Sequence, residues 1–237
     1  MEQDSNRLMK EAAGKAVVDS MVKSGMKLGL GTGSTAIHSV RRVGELMAQG
    51  ALCDVSAFAT SFQTEIECEK LGIPFYSLNS RELSDGLDLT IDGADEVDPQ
   101  NRLIKGGGGA MLIEKLAAYN SSVFAVIVDE TKITESIGCV FPVPVEVVPA
   151  ARVQVTKTLE KIGANVILRE ALRKAGPVIT EHGNLILDIR FTSPVDPSAL
   201  EAEINQIPGV VENGFFTRKT PVVFIARSNG SIETRQI

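Results

Sequence analysis

Cysteine is too sparse in this sequence to frame a fold. Cys53, Cys68 and Cys139 are odd in number, lie far apart and include no CxxC pair, so neither a disulfide framework nor a zinc site is supplied. Buried thiols in a reducing compartment fit that pattern. Histidine is scarcer still. His38 and His182 are the only two, which starves any histidine-based metal site or triad and leaves both as structural or exposed side chains. No apolar run approaches the roughly 18 residues of a membrane span. The opening MEQDSNRLMK lacks the basic-then-apolar order of a secretory leader. A cytoplasmic protein is expected, although an organellar chain trimmed of its transit peptide would read the same. Positive charge is not in excess either: at a net charge of −6 no basic field exists to collect nucleic acid or an anionic membrane. A phosphorylated small molecule is compatible with that balance, because a phosphate needs only a local pocket of donors. There is no internal repeat and no low-complexity segment.

What is present is an ordinary globular balance, 43% hydrophobic and 23% charged over 237 residues, enough for one large domain carrying a smaller one. Residues 3–24 have a helical apolar face (Leu8, Ala12, Ala16, Val17) that Gly25 ends. Strands then alternate with helices: strand 27–31, helix 34–48, strand 55–59, helix 64–71, strand 87–91, helix 110–119 and strand 122–128. Apolar strands separated by helices predict a mainly parallel sheet flanked by helices, an α/β fold. In such sheets ligands bind beyond the carboxyl ends of the strands, and GTGST, TSFQT and DGADE all follow strands on that edge. After about residue 138 the texture changes to a strand–helix–strand–strand–helix–strand order, a small α+β domain of split βαβ, ferredoxin-like type. The last apolar stretch, PVVFIARS (221–228), is expected to rejoin the first sheet. The domains expected are therefore 1–138 with 210–237, and 139–209.

Three loops carry chemistry. GLGTGST (29–35) joins a strand to a helix, where exposed amides and the helix dipole favour an anion. It is no dinucleotide fingerprint, since the third glycine of GxGxxG would fall on Ser34, and no Walker motif, since no Gly-Lys-Ser/Thr follows. Thr32, Ser34 and Thr35 offer hydroxyls to a phosphate or sugar, or the segment is a tight turn with Ser34 as N-cap. DLTIDGADEVD (88–98) delivers Asp92 and Asp95 at a strand end, for sugar hydroxyls, acid–base steps or magnesium, or as an Asx-turn with a helix cap. KGGGGAMLIEK (105–115) places four consecutive glycines directly before a helix. Their ordering costs entropy, and their amides can form an anion-binding concavity beside Lys105; the other reading is a flexible linker. Glu114 sits off the stripe of Leu112, Ile113, Leu116 and Ala117, which by spacing alone suits a solvated glutamate favoured by the helix dipole. Lone lysines such as Lys132 and Lys10 are by themselves solvated charges or phosphate cations.

Together GTGST, DGADE, KGGGGA with a glutamate nine residues after its lysine, and VEVVP resemble the type A ribose-5-phosphate isomerase family over nearly the whole chain. The resemblance implies an isomerase of the pentose phosphate pathway that interconverts ribose 5-phosphate and ribulose 5-phosphate through an enediolate. It implies that Thr32, Gly33, Ser34 and Thr35 contact substrate, as do Asp92, Gly93, Ala94 and Asp95, and Lys105, Gly106, Gly107 and Gly108. Glu114 becomes the catalytic base, with Asp92 a second acid–base participant and Lys105 a donor to the oxyanion; Lys132 and Lys10 become phosphate cations. No role passes to TSFQT. No metal or cofactor is implied, since both proton transfers involve neighbouring carbons, and a homodimer or homotetramer is expected. Other readings on a similar scaffold are an amino-sugar-phosphate deaminase, an acyl-CoA transferase, or a non-catalytic sugar-phosphate sensor. A sensor would carry a helix-turn-helix, for which the stretch before Gly25 leaves no room.

Overall fold

The computed structural model describes residues 2–237, with side chains from Arg7 onward. Its elements run α1 (Glu2–Met21), β1 (Lys27–Leu30), α2 (Gly33–Ala48), β2 (Ser56–Ala59), α3 (Phe62–Leu71), β3 (Leu87–Gly93), β4 (Glu96–Val97), β5 (Leu103–Ile104), α4 (Met111–Tyr119) and β6 (Ser121–Asp129). There follow β7 (Val143–Val147), α5 (Arg152–Lys161), β8 (Asn165–Leu168), β9 (Leu185–Arg190), α6 (Pro197–Asn205), β10 (Val210–Asn213), β11 (Phe215–Phe216), β12 (Val222–Ala226) and β13 (Ile232–Arg235). They fall into two compact units. One comprises the residues up to Ala94 with Ile113–Ile133 and Lys219–Ile237, the other Asp95–Leu112 with Thr134–Arg218.

The first unit holds a six-stranded sheet in the order β13-β12-β6-β3-β1-β2. Every neighbouring pair is parallel except β12 with β13. Alternation along the strands puts Leu28, Leu30, Leu89, Ile91, Ala125 and Ile127 on one face of the sheet, where they pack with Val17 of α1 and with Val40 and Val43 of α2. The α/β reading holds here, and the apolar stretch near 222 does rejoin this sheet, beside β6. β13 adds an antiparallel edge strand that the sequence reading does not contain.

The second unit carries an antiparallel sheet ordered β10-β7-β9-β8, the order of a split βαβ unit with α5 and α6 as its helices. One face is closed by Val145, Val147, Leu187 and Ile189 against Val155 and Leu159 of α5 and Leu200 and Ile204 of α6. A three-stranded sheet of very short strands, β11-β5-β4, completes the unit. This grouping differs from the expected division at 138/139 and 209/210: residues 95–112, 134–138 and 210–218 all belong with the smaller unit. The physical reason is the pairing of β5 with β11, Phe215 opposite Ile104, together with Ile137 in the second core.

Candidate active site

In the first unit the carboxyl ends of the parallel strands bring GTGST, TSFQT and the start of DGADE to one edge. Asp92, at the end of β3, is wholly buried. Its Oδ1 accepts the Thr32 amide at 3.1 Å and the Gly93 amide at 2.7 Å. Gly31 lets this happen: a Cβ there would lie 2.1 Å from Asp92 Oδ1 and 2.6 Å from the Asp92 Cα. The glycine thus makes room for a carboxylate of the protein. Thr32, not Ser34, is the N-cap of α2, in extended backbone with no side-chain cap bond. Its hydroxyl turns to the second loop, with Oγ1 2.7 Å from both Thr60 Oγ1 and Ser61 Oγ and 3.3 Å from Thr64 Oγ1. Gln63 Oε1 accepts the Gly33 amide at 3.1 Å. TSFQT, to which the sequence assigned no role, therefore holds the GTGST loop. A run of hydroxyls directly after a strand was the available signal.

Ser34 meets Lys10 of α1, whose Nζ donates to Ser34 Oγ at 3.0 Å. Lys132 ends a short 3-10 turn that follows β6, on the same strand edge, and is half-buried. Asp129 caps that turn by accepting the Thr131 amide at 3.0 Å. Thr35 lies near Gly93, whose hypothetical Cβ would be 3.8 Å from the Thr35 Cβ.

Glu114 is not a solvated glutamate; it is 5% exposed, while Leu116 is 42% exposed. The expected inward stripe is corrected accordingly: Met111, Glu114, Lys115, Ala117 and Ala118 are the buried residues of α4. The direction of α4 follows from two bonds to β3 and its approach. The Thr90 hydroxyl donates to Ala117 O at 3.1 Å, and the Leu87 amide to Asn120 O at 3.0 Å. The helix therefore runs antiparallel to β3, with its first turn toward the carboxyl end of the strand. Glu114 lies about 4.5 Å of helix rise beyond Ala117, in the same sense that Asp92 lies beyond Thr90. A buried carboxylate in the first turn also has the positive end of the helix dipole at hand.

In the second unit Lys105 follows β5 and is 2% exposed. Its amide donates to Gly214 O at 2.9 Å, and its ammonium stands 5.6 Å from the centroid of the Phe216 ring. The glycines after it form a turn closed by the Gly109 amide on Gly106 O at 2.9 Å. Asp95 Oδ2 accepts the Gly107 amide at 2.8 Å. Arg169 donates through Nη1 to the carbonyls of Gly106 at 3.0 Å and Gly107 at 3.1 Å. A segment held by a carboxylate and a guanidinium is no flexible linker. Gly107 and Gly108 are exposed. Arg169 and its partner Asp188 had no sequence signal, being distant from the loop in the chain. His38 and His182 take no part in these contacts, and among the described residues no three His, Cys, Asp or Glu side chains are grouped to hold a metal ion.

Comparison with known proteins gives one family. Residues 56–230 match the family model described as ribose 5-phosphate isomerase A (phosphoriboisomerase A). A ribose-5-phosphate isomerase A from Treponema denticola is 51% identical over 236 residues, covering 97% of this chain and 99% of that relative. One from Synechococcus sp. (strain WH7803) is 46% identical, covering 97% and 95%. Among solved structures, a D-ribose-5-phosphate isomerase in complex with phospho-erythronic acid superposes with a TM-score of 0.92 at 37% identity, over 97% of this chain and 98% of that one. The ribose 5-phosphate isomerase A of Methanocaldococcus jannaschii gives 0.90 at 40% identity, over 97% and 98%.

Proposed function

The chain belongs to the ribose-5-phosphate isomerase A family and interconverts D-ribose 5-phosphate and D-ribulose 5-phosphate, and on that premise we propose that Glu114 is the base that moves the proton. The observation that carries this reading is the burial of the Glu114 carboxylate in the first turn of α4, the turn directed toward the carboxyl edge of β3. The open-chain aldehyde must lose a proton from carbon 2 and gain one at carbon 1 by way of an enediolate. One carboxylate on one face performs both transfers. Asp92, held by two backbone amides, orients sugar hydroxyls and takes part in ring opening. By the family resemblance, Lys105 with the amides of Gly106, Gly107 and Gly108 stabilises the oxyanion. Thr32, Gly33, Ser34, Thr35, Gly93, Ala94 and Asp95 contact the sugar phosphate, and Lys132 and Lys10 bind the phosphate. A cytoplasmic location is part of the same reading. Neither a deaminase nor a sensor is favoured, because the relatives spanning almost the whole chain carry the isomerase name.

The test is Glu114→Gln, which keeps shape and helix but removes a basic carboxylate. Turnover of ribose 5-phosphate should fall by about 10²–10⁴. Solvent-deuterium exchange at carbon 2 should collapse with it, while phospho-erythronic acid still binds and circular dichroism is unchanged. Near-normal turnover would make Glu114 a structural side chain and leave Asp92 as the base.

A further inference from the structure

The helix-free face of the four-stranded sheet carries an ion pair that grips the glycine loop. Alternation along a strand sends Leu187 and Ile189 of β9 into the core against α5 and α6, so Ile186 and Asp188 face the other way. Arg169 follows β8 directly and continues its ladder, its amide donating to Ile186 O at 2.9 Å. The guanidinium and the Asp188 carboxylate pair in bidentate fashion, Nε to Oδ2 at 2.8 Å and Nη2 to Oδ1 at 2.5 Å. The remaining nitrogen, Nη1, serves both Gly106 O and Gly107 O. Against this face the loop is tightly seated: a Cβ on Gly106 would lie 3.2 Å from Pro144 Cγ, and one on Gly109 3.2 Å from Ile186 Cδ1.

In a trans peptide the carbonyl and the amide point in opposite directions. Fixing the Gly106 oxygen therefore aims the Gly107 N–H away from Arg169, and that N–H is taken by Asp95 at 2.8 Å. Fixing the Gly107 oxygen aims the Gly108 N–H the same way, and no acceptor among the described residues takes it. A Cβ on Gly108 would meet nothing within 4 Å. We propose that Arg169, locked by Asp188, is a positioning residue of the isomerase: it sets the orientation of two successive peptides so that the Gly108 amide is presented to an oxygen of the substrate. The inference rests on the functional reading above, in which these amides stabilise the oxyanion. Arginine suits the task because its planar fork holds a carboxylate and still has a nitrogen to spare, which a lysine ammonium cannot match.

The experiment compares Arg169→Ala, Arg169→Lys and Asp188→Asn with the parent chain. Donors aimed at a developing oxyanion act on the transition state more than on bound substrate. In Arg169→Ala, kcat should therefore fall about 10–100-fold while KM moves much less, since removing such a donor outright costs about 10²–10³. Guanidinium at millimolar concentration should restore part of the lost kcat. Arg169→Lys and Asp188→Asn should fall in the same direction by less, with unchanged circular dichroism. An unchanged kcat in all three variants overturns the proposal. So does a loss that follows melting temperature and ignores guanidinium. If the parent chain itself fails to isomerise ribose 5-phosphate, it is the functional reading that fails, so the two failures are told apart by the parent's own assay.

Discussion

His38 is half-buried on α2, where it packs so closely on α1 that a Cβ at Gly14 would sit 2.7 Å from its own. Burial is the largest influence on its imidazole and lowers the pKa; Arg41, Lys10 and Arg7 push the same way, and Glu11 opposes them. The unfolded chain then takes up this proton near its ordinary pH of about 6.5, while the folded chain waits for a lower pH. Stability from the neutral ring is present above the unfolded value and is lost as pH falls through the folded one. The urea midpoint should accordingly drop between pH 7 and pH 5, and His38→Gln should drop less over that interval; an identical slope in the variant would remove His38 from the account. The neighbouring carboxylates with lowered pKa, Glu11 and Glu45 among them, titrate further down and do not mask this window. Single residues were also where sequence reasoning met its limits. The space beside Gly31 is filled by Asp92, sixty-one positions on in the chain, and no local pattern discloses that neighbour. Glu114 looked solvated because its spacing set it off an apolar stripe; α4 is instead covered around enough of its girth that a glutamate and a lysine are buried and Leu116 is not.

Among elements, the strand-to-helix loops depend on one another. Thr32 ties the β1–α2 loop to the β2–α3 loop through its hydroxyl, while Thr60 and Thr64 also donate to Leu30 O and Gly31 O. Thr32→Val preserves the shape and sacrifices no N-cap bond, because Thr32 makes none. It should cost about 1 kcal/mol, the net worth of an ordinary hydrogen bond, read as a shift of the urea midpoint at constant m-value. A loss several times larger would mean that the hydroxyl cluster, and not one bond, sets the loop. The element order itself was legible, because period and punctuation are local: Gly25 closed the first helical run, and the split βαβ order showed in alternation alone. The strands β4, β5 and β11 were not, since two residues cannot display a period of two. Their absence from the reading is also why the smaller unit was drawn too short.

For the whole molecule, a homo-oligomer is the expected state, and light scattering of the purified chain should give two or four times its 25.3 kDa; a particle of the single-chain mass would contradict it. Return of the chain to its first sheet was readable as an apolar stretch, but its place beside β6 was not, because parallel neighbours are fixed by the whole sheet. That return has a consequence for synthesis. β12 pairs with β6 along five residues and buries Val223, Phe224, Ile225 and Ala226, yet residues 130–221 must be translated between the two. At a ribosomal pace of roughly 5–20 residues per second, the β6 edge stands open for about 5–20 s, and the antiparallel sheet is itself still being made for most of that time, because its strand β10 only shortly precedes β12 in the chain. During that interval the nascent chain presents a bare row of backbone donors and acceptors flanked by apolar side chains, and a chaperone or a slow codon run acting there would govern how much of each round of translation ends as enzyme.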